Sequence, residues 1–590
     1  METTTAVRKG ASWLLEESAA ADVFTPEKLT EEHRLIAQTT EAFVANEVLP
    51  MLDRLEAKDW SVARSLLRRC GELGLLGVNV PEEYGGVALD KVSSLIVSER
   101  IAPVASFAAM FGAQANLCIL PIALFGTAAQ KQQYLPRLVS GELVGAYALS
   151  ESGSGSDALA ARTRATRGPD GDWRLTGEKM WITNGGFADV IVVFAKVDGE
   201  QFTAFLVEKT FPGVSAGKEE HKMGLHGSST TPILLQDARV PAANVLGEIG
   251  KGHKVALNTL NFGRFKLGGM SVGGCRTALG DAARYAAERR QFGQPIASFG
   301  ALKHKLGEMT ARTYAMESVA YRTAGLIEAY LAGTDADERA VAQALEEFAI
   351  EASIIKVGGT EALHYVLDEN VQIHGGNGFV KDYSAERYYR DARVNRIFEG
   401  TNEINRLLIP GMLVRRGLKG DLPLVAAAKA LQDEILSPSL TGPRLDEGAA
   451  LEQEGRTVAA FKKVALIVLG TAMQTYGEKL SDEQEVLSYT ADILIDTFAA
   501  ESAVLRARAA AGHDHADLHQ AAAAAFVHDA ALRIEQAARS ALAAMAEGDT
   551  LRTLLAALRR VLKPAPVNTV ALRRRLADAV VANGRYILGS

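Results

Sequence analysis

Val190-Ile191-Val192-Val193-Phe194, followed by Phe202-Thr203-Ala204-Phe205-Leu206-Val207, decides the fold class. Both runs are short, rich in β-branched and aromatic residues, and punctuated by Gly and Asp, the pattern of buried strands. Trp173-Arg174-Leu175-Thr176 and Pro232-Ile233-Leu234-Leu235 repeat it on either side, so 146–250 reads as a compact β domain. On both flanks the period lengthens. From Thr30 to about 145, apolar positions recur at helical spacing, as in Leu66-Leu67-x-x-Cys70-x-x-Leu73-x-Leu75-Leu76, with a break at Pro81-Glu82-Glu83-Tyr84-Gly85-Gly86. From 251 to 416 long helical patterns return, broken at Phe292-Gly293-Gln294-Pro295 and His374-Gly375-Gly376-Asn377-Gly378.

The chain therefore reads as mainly α with a middle β domain. An N-terminal extension (1–29) precedes a helical domain (30–145), the β domain (146–250) and a helical bundle (251–416). A turn-rich linker, 417–444, carries Pro438 and Pro443; beyond it, 445–590 is rich in Ala, Leu and Arg at helical spacing and reads as a second helical domain. Gly268-Gly269 and Gly273-Gly274 interrupt a helical stretch at a cost of roughly 1 kcal/mol each relative to Ala, which predicts that another helix packs closely there.

Composition narrows the function. The 590 residues are 48 % hydrophobic with net charge −7, so no whole-chain basic face favours nucleic acid. Cys70, Cys118 and Cys275 form no C-x-x-C, which supports neither a disulfide framework nor a zinc site and makes a reducing compartment the default. No H-E-x-x-H, His/Cys cluster or G-x-S-x-G elbow occurs, so no metal is expected. The run after Arg8-Lys9 is too short for a signal peptide, and no stretch of about eighteen uninterrupted apolar residues occurs; a cytoplasmic location is the expectation.

Several motifs are able to carry chemistry. Glu399 sits beside Ile397 and Phe398 and before Gly400-Thr401-Asn402, where partial desolvation would strengthen it as a base. The plainer reading is a turn and cap opening the helix Glu403–Ile409. Gly153-Ser154-Gly155-Ser156-Asp157-Ala158 fits G-x-G-x-x-A in letters, yet the next element reads as a strand, which excludes a Rossmann site. Its free N–H groups still suit a polar cofactor edge. The glycines after His374 are able to approach phosphate oxygens, and Trp181-Ile182-Thr183-Asn184 offers a ring for a planar cofactor or for the core.

Taken together, five motifs in register resemble the acyl-CoA dehydrogenase family over roughly 30–415. They are Tyr147-Ala148-Leu149-Ser150-Glu151-Ser152-Gly153-Ser154-Gly155-Ser156-Asp157, Trp181-Ile182-Thr183-Asn184, Arg289-Arg290-Gln291-Phe292-Gly293-Gln294-Pro295-Ile296, Gln372-Ile373-His374-Gly375-Gly376-Asn377-Gly378-Phe379 and Ile397-Phe398-Glu399-Gly400-Thr401-Asn402-Glu403-Ile404. The C-terminal extension, with Asn261-Phe262-Gly263-Arg264-Phe265, looks most like the very-long-chain branch. Ser152, where the family usually has Pro, and Glu403, where many members have Gln or Asp, depart from the pattern.

The resemblance implies an N-terminal helical domain, a β-barrel domain and a helical bundle holding FAD between subunits, and oxidation of a long-chain acyl-CoA to the trans-2-enoyl-CoA in fatty acid β-oxidation. Glu399 would remove the α proton as the β hydrogen leaves as hydride to the flavin. The Glu399 N–H and a flavin ribityl hydroxyl would stabilise the enolate. Leu149, Ser150, Trp181 and Thr183 would line the flavin, with Thr401 and Glu403 closing the site. Arg289, Gln291, Phe292, Gln372, Gly375 and Gly376 would reach the FAD of the neighbouring subunit. Ser156, Asn261, Arg264, Phe398 and Gly400 would meet the substrate, Arg264 at its CoA portion. Some members draw the base from the position before that arginine; here it is Gly263, which leaves Glu399.

Electrons would pass to electron-transferring flavoprotein. An acyl-CoA oxidase, and a non-catalytic assembly or scaffold protein of the same fold, are the rival readings. The extension would favour a homodimer over a tetramer. Helices near Phe107 to Leu124 would set the acyl-pocket depth. The basic run over 551–590, Arg552, Arg559, Arg560, Lys563, Arg573, Arg574, Arg575 and Arg585 against Asp578, is either a solvated face or a peripheral membrane contact.

Overall fold

The computed structural model describes residues 8–334, 337–436 and 451–589. Its N-terminal helices include Glu31–Phe43, Trp60–Glu72, Lys91–Ile101, Ala105–Gly112 and Ala128–Val139. Two of them start on capping boxes that the sequence spells out. Thr30 accepts from the His33 N–H at 3.2 Å, and Thr127 accepts from the Gln130 N–H at 3.2 Å.

The middle domain is a sheet of eight strands: β1 (Gly145–Ala148), β2 (Arg164–Arg167), β3 (Trp173–Thr183), β4 (Val190–Val197), β5 (Gln201–Glu208), β6 (Val214–Ala216), β7 (Thr230–Val240) and β8 (Val245–Leu246). The run Val190–Val197 is buried along all but one of its residues because neighbours cover both faces, which is why it lacks alternation. Pairing follows β6-β7-β3-β2-β4-β5-β8, with β1 added to β4. The sheet, branched at β4, is the middle β domain expected. β1 pairs parallel with Val190–Val193 while β2 pairs with Lys196 and Val197, so two strands share different lengths of β4.

The bundle is built on the helices Gly252–Glu288, Gly300–Ala332, Ala349–His374, Ser384–Ala392 and Asn402–Lys419. The glycine pairs lie where helices press on Gly252–Glu288. A Cβ on Gly273 would fall 1.9 Å from the Glu99 carbonyl oxygen, and one on Gly268 2.4 Å from Ile355 Cγ1. Helix packing through small residues is therefore what those glycines serve. The sequence break at Phe292–Pro295 is a hairpin, Arg290-Gln291 against Gln294-Pro295.

The expected linker is only partly one. Helix Asn402–Lys419 stops at Gly420, which takes a left-handed φ of 81°, and a new helix, Leu424–Leu436, follows at once. Its Leu-Val-Ala-Ala-Ala start has ample helix propensity, enough to extend helical structure well into the segment. Pro438 and Pro443 lie outside the described residues.

The C-terminal helices Glu452–Tyr476, Gln484–Ala509, Ala516–Met545, Gly548–Val561 and Thr569–Asn583 share one continuous core with the bundle. The N-terminal extension joins it: Trp13 packs on Phe498 with ring centroids 4.7 Å apart. Buried Arg506 donates to Glu317 at 2.7 Å and to Glu27 at 2.7 Å, while Tyr586 donates to Glu317 at 2.8 Å. Three regions distant in sequence thus meet on one paired charge cluster.

Of the basic run, Arg573 is buried against Asp529 and Glu308, Arg560 donates to the Ile435 carbonyl, and Arg552 pairs with Asp549. The cationic face is broken. Two stretches, Ala105–Phe125 and Glu452–Asp482, are long and apolar enough to cross a bilayer by composition, yet both pack into the fold.

Gly273→Ala, whose Cβ meets backbone, is expected to cost about 1–3 kcal/mol and lower Tm. Gly411→Ala, on a helix with open space around it, is expected to add up to about 1 kcal/mol of stability and raise Tm. Thermal denaturation of both variants checks the pair.

Candidate active site

Glu399 follows the single turn Arg393–Arg396 and precedes the helix opened by Thr401, whose Oγ1 accepts from the Ile404 N–H at 3.2 Å. The turn-and-cap reading is therefore correct as local structure, and it also aims the carboxylate inward. Glu399 has φ 57° and Gly400 φ 77°, two consecutive left-handed residues. For a glutamate that conformation costs on the order of 1–3 kcal/mol and persists only where its surroundings enforce it.

The enforcement acts on the backbone. Arg264 Nε donates to the Glu399 carbonyl at 3.0 Å. Lys356 Nζ donates to the Gly400 carbonyl at 2.7 Å and to Asn402 Oδ1 at 2.6 Å. Asn405 Nδ2 donates to the Gly400 and Thr401 carbonyls, each at 2.9 Å. The carboxylate itself is left over. Its Oε2 is buried and has no hydrogen-bond partner among the described residues. A Cβ on Gly263 would lie 2.6 Å from that oxygen, so the glycine makes the space the side chain occupies.

Burial pushes the Glu399 carboxyl up to about 7, more than the nearby positive charges of Arg264 and Lys356 draw it down. Burial likewise brings Lys356 down to about 7, against the pull of Glu399. Tyr147, whose hydroxyl is buried, is held well above its ordinary value, first by burial and then by the charge of Glu399.

Beside Glu399 opens an apolar cleft, lined by Ala105, Ala108, Ala109, Leu267, Met270 and Phe398 among others. Along Gly252–Glu288 its wall continues through Gly274 to Thr277, about 21 Å of helix beyond Gly263 at 1.5 Å per residue. On the side where Phe107 to Leu124 was expected, the cleft is lined over Ala102 to Ala109, which overlaps only the start of that stretch.

A second wall is polar. Leu149 and Ser150 follow β1, and β3 is stitched to them: Lys179 Nζ donates to the Leu149 carbonyl at 3.2 Å and Met180 N to the Ser150 carbonyl at 2.9 Å. A register shift between Lys179 and Ile182 turns Trp181 outward, 57 % exposed with φ 58°. Thr183 ends the strand, and buried Asn184 donates to the Met110 and Gly145 carbonyls at 3.0 Å. Ser156 is exposed on the loop anchored by buried Glu151, which accepts from Lys179 Nζ at 2.7 Å and Thr163 Oγ1 at 2.6 Å. Glu403 is exposed in the first helical turn.

Two groups of expected residues stand apart from this. Arg289, Gln291 and Phe292 lie on the hairpin past Glu288, about 38 Å of helix from Gly263. Gln372, Gly375 and Gly376 end the Ala349–His374 helix; Tyr285 joins the two groups, its ring 4.1 Å from that of His374 and its hydroxyl donating to the His374 carbonyl at 3.2 Å. A Cβ on Gly375 or Gly376 would meet open space, and Phe292 is 92 % exposed.

Arg264 is not placed as expected. It is 4 % exposed and also donates to Asn261 Oδ1 at 3.0 Å, so it and Asn261 brace the turn from behind instead of reaching out to a CoA. Lys356, Asn402 and Asn405 were not legible as site residues from sequence. A lone lysine inside Ile354-Ile355-Lys356-Val357 was the available signal, since a fully buried lysine requires partners.

Models of the acyl-CoA dehydrogenase N-terminal, middle and C-terminal domains match residues 30–142, 146–238 and 250–412, and a further acyl-CoA dehydrogenase C-terminal domain matches 460–560. The chain belongs to the acyl-CoA dehydrogenase family. This acyl-CoA dehydrogenase is 47 % identical over 588 residues to a probable acyl-CoA dehydrogenase of Bacillus subtilis, covering 98 % of each chain. A crystal structure of an acyl-CoA dehydrogenase complexed with FAD from Bacillus anthracis superposes with TM-score 0.96 at 47 % identity, covering 98 % of this chain and 100 % of that one. The human very long-chain specific acyl-CoA dehydrogenase is 41 % identical over 57 % of this chain and 51 % of its own.

A carboxyl raised from 4.5 to about 7 lowers stability as pH rises through that window, because the unfolded chain ionises first; below it the cost is absent. Relative to Glu399→Gln, the wild type is expected to lose about 3 kcal/mol between those pH values. Parallel denaturation curves of the two proteins at pH 4.5 and pH 8 check this; a constant gap would refute it.

Proposed function

We propose that this acyl-CoA dehydrogenase, with FAD as its cofactor, takes long-chain acyl-CoA through the first oxidation of β-oxidation, with Glu399 as the base. The buried, unpartnered Oε2 of Glu399, on a carboxyl that burial pushes up to about 7, carries the reading. Near neutral pH such a group is half ionised and strongly basic for a carboxylate, the state a general base needs. The surroundings leave its buried oxygen unengaged and direct the nearby cations to backbone carbonyls.

FAD, when bound, supplies the acceptor for the β hydride. Residues of this chain suit it: an outward indole at Trp181, the Leu149–Ser150 edge beside it, and a turn at Gly375-Gly376 where even an added Cβ would meet open space. The hairpin stands about 38 Å along the helix Gly252–Glu288 from Gly263, and the glycine turn joins it through Tyr285, which supports a homodimer in which the hairpin and glycine turn of one subunit complete the site of the other. The exposed Phe292, Phe379 and Tyr383 around that turn support the same arrangement, since lone large apolar groups so clustered favour burial at an interface.

Within this chain, Phe398 and Leu267 hold the acyl carbons beside Glu399, and the cleft's apolar wall excludes water from the proton transfer. The run of small residues, Ala105, Ala108, Ala109 and Gly274, keeps the cleft open to its far end and supports a long acyl chain. Electron-transferring flavoprotein is the proposed acceptor.

Anaerobic mixing with acyl-CoA esters of increasing length is expected to bleach the bound flavin, fastest with long chains. Ala109→Phe is expected to slow long chains more than short ones, and Glu399→Gln to slow all of them about 10²–10⁴-fold. A best rate with a short ester overturns the length assignment; undiminished bleaching by Glu399→Gln overturns the base. Rapid hydrogen peroxide release in air, with no acceptor present, would reassign the enzyme as an oxidase.

A further inference from the structure

A continuous line of side-chain hydrogen bonds leads from the C-terminal domain to the catalytic turn. Asp492, on the helix Gln484–Ala509, accepts from Arg406 Nε at 2.8 Å. The other face of the same guanidinium grips Glu361 through Nη1 at 2.7 Å and Nη2 at 2.8 Å, a bidentate fork. Glu361 Oε1 accepts from Asn402 Nδ2 at 3.0 Å. That bond fixes which way the Asn402 amide faces, so its Oδ1 is turned to Lys356 Nζ at 2.6 Å. Lys356 then holds the Gly400 carbonyl at 2.7 Å, one residue past the base.

Each member has a reason to depend on the previous one. Lys356 is fully buried, and an ammonium there requires acceptors fixed in place. Asn402 is 1 % exposed and also bonds Thr360 at 3.1 Å; a flipped amide would set its NH₂ against the ammonium. Glu361 and Asp492 are partly exposed, so Arg406 between them is what keeps the Glu361 carboxylate from swinging to solvent. The catalytic turn needs such bracing because both of its left-handed residues are held by backbone acceptors alone.

We infer that the C-terminal domain positions the base: Asp492, through Arg406, Glu361 and Asn402, holds Lys356 on the Gly400 carbonyl and so keeps Glu399 in its turn. This assigns the extension a part in turnover and rests on Glu399 acting as the base. The charged groups around the Lys356 ammonium are Glu399, Arg264, Glu403 and Glu361. Of these, Glu399 is the one whose protonation the reaction uses. Removal of the lysine charge leaves Glu399 holding its proton more tightly, which moves the acid limb of the rate profile to higher pH.

The test is a double-mutant cycle on the full-length, FAD-loaded protein: Asp492→Asn, Lys356→Met and both, with kcat and KM for one long-chain acyl-CoA and an artificial electron acceptor across pH. Lys356→Met is expected to lower kcat by about tenfold or more and to shift its acid limb upward. Asp492→Asn is expected to lower kcat about three- to tenfold with KM within about twofold, and Asp492→Glu to restore most of it. The double variant is expected to be no slower than Lys356→Met alone, because the two changes break the same line. A loss in the double equal to the product of the two single losses, or an Asp492→Asn enzyme equal to wild type, overturns the inference. Should Asp492→Asn not fold with flavin, Arg406→Lys, which cannot hold both carboxylates at once, takes its place in the cycle: non-additive losses support the line and independent losses overturn it. Wild-type turnover is read separately: its absence refutes the proposed function, while its presence with independent variants refutes only this line.

Discussion

A carboxylate with one oxygen buried and given no hydrogen-bond partner among the described residues is the condition the rest of the site depends on. Glu399 could be neutralised by Arg264 or Lys356, both close enough to lower its affinity for a proton, yet the structure aims each at a peptide carbonyl instead. The cations therefore fix the chain without pairing with the carboxylate, which suits Glu399 for the role of base proposed for it. Gly263 contributes by having no side chain, since any Cβ there would overlap the carboxylate. The cost is a glutamate in left-handed backbone, and several buried hydrogen bonds hold it there.

One helix organises the molecule around that condition. Gly252–Glu288 supplies Gly263 and Arg264 beneath the base and the small-residue faces on which two other helices close. It also carries the apolar wall of the cleft and, at its far end, the hairpin proposed to serve a second subunit. Its glycine pairs set how near Lys91–Ile101 and Ala349–His374 approach, and hence where Lys356 and Leu363 stand. Packing density and chemistry are linked here through helix spacing instead of through any single contact. The C-terminal helices share the same core, so they act as part of the bundle and not as an appended bead.

Sequence made the architecture legible wherever the period of apolar residues was unambiguous. The β runs at 190–194 and 202–207 are β4 and β5, and the breaks at Phe292 and Gly375 are a hairpin and a helix end. Of the proposed site, the residues that border the Glu399 turn stand out in the sequence, and those that hold it do not. Lys356 meets Asn402 and Gly400 across two helices more than forty residues apart in sequence, which no local pattern records, and Asn405 reads locally as an ordinary helix residue. Arg264 shows the opposite error: its type suggested an anion outside the fold, while burial turned it to a carbonyl within. The linker differs for a local reason, because Pro438 and Pro443 outweigh, as sequence signals, the helical Leu-Val-Ala-Ala-Ala run that precedes them.

Infrared titration of the FAD-loaded protein, as the difference between wild type and Glu399→Gln, reads the carboxyl of Glu399 without turnover. The account predicts that its protonated band disappears with a midpoint near 7. A midpoint near the ordinary 4.5 would contradict it, since the carboxylate would then be solvated or paired and no longer poised as a base.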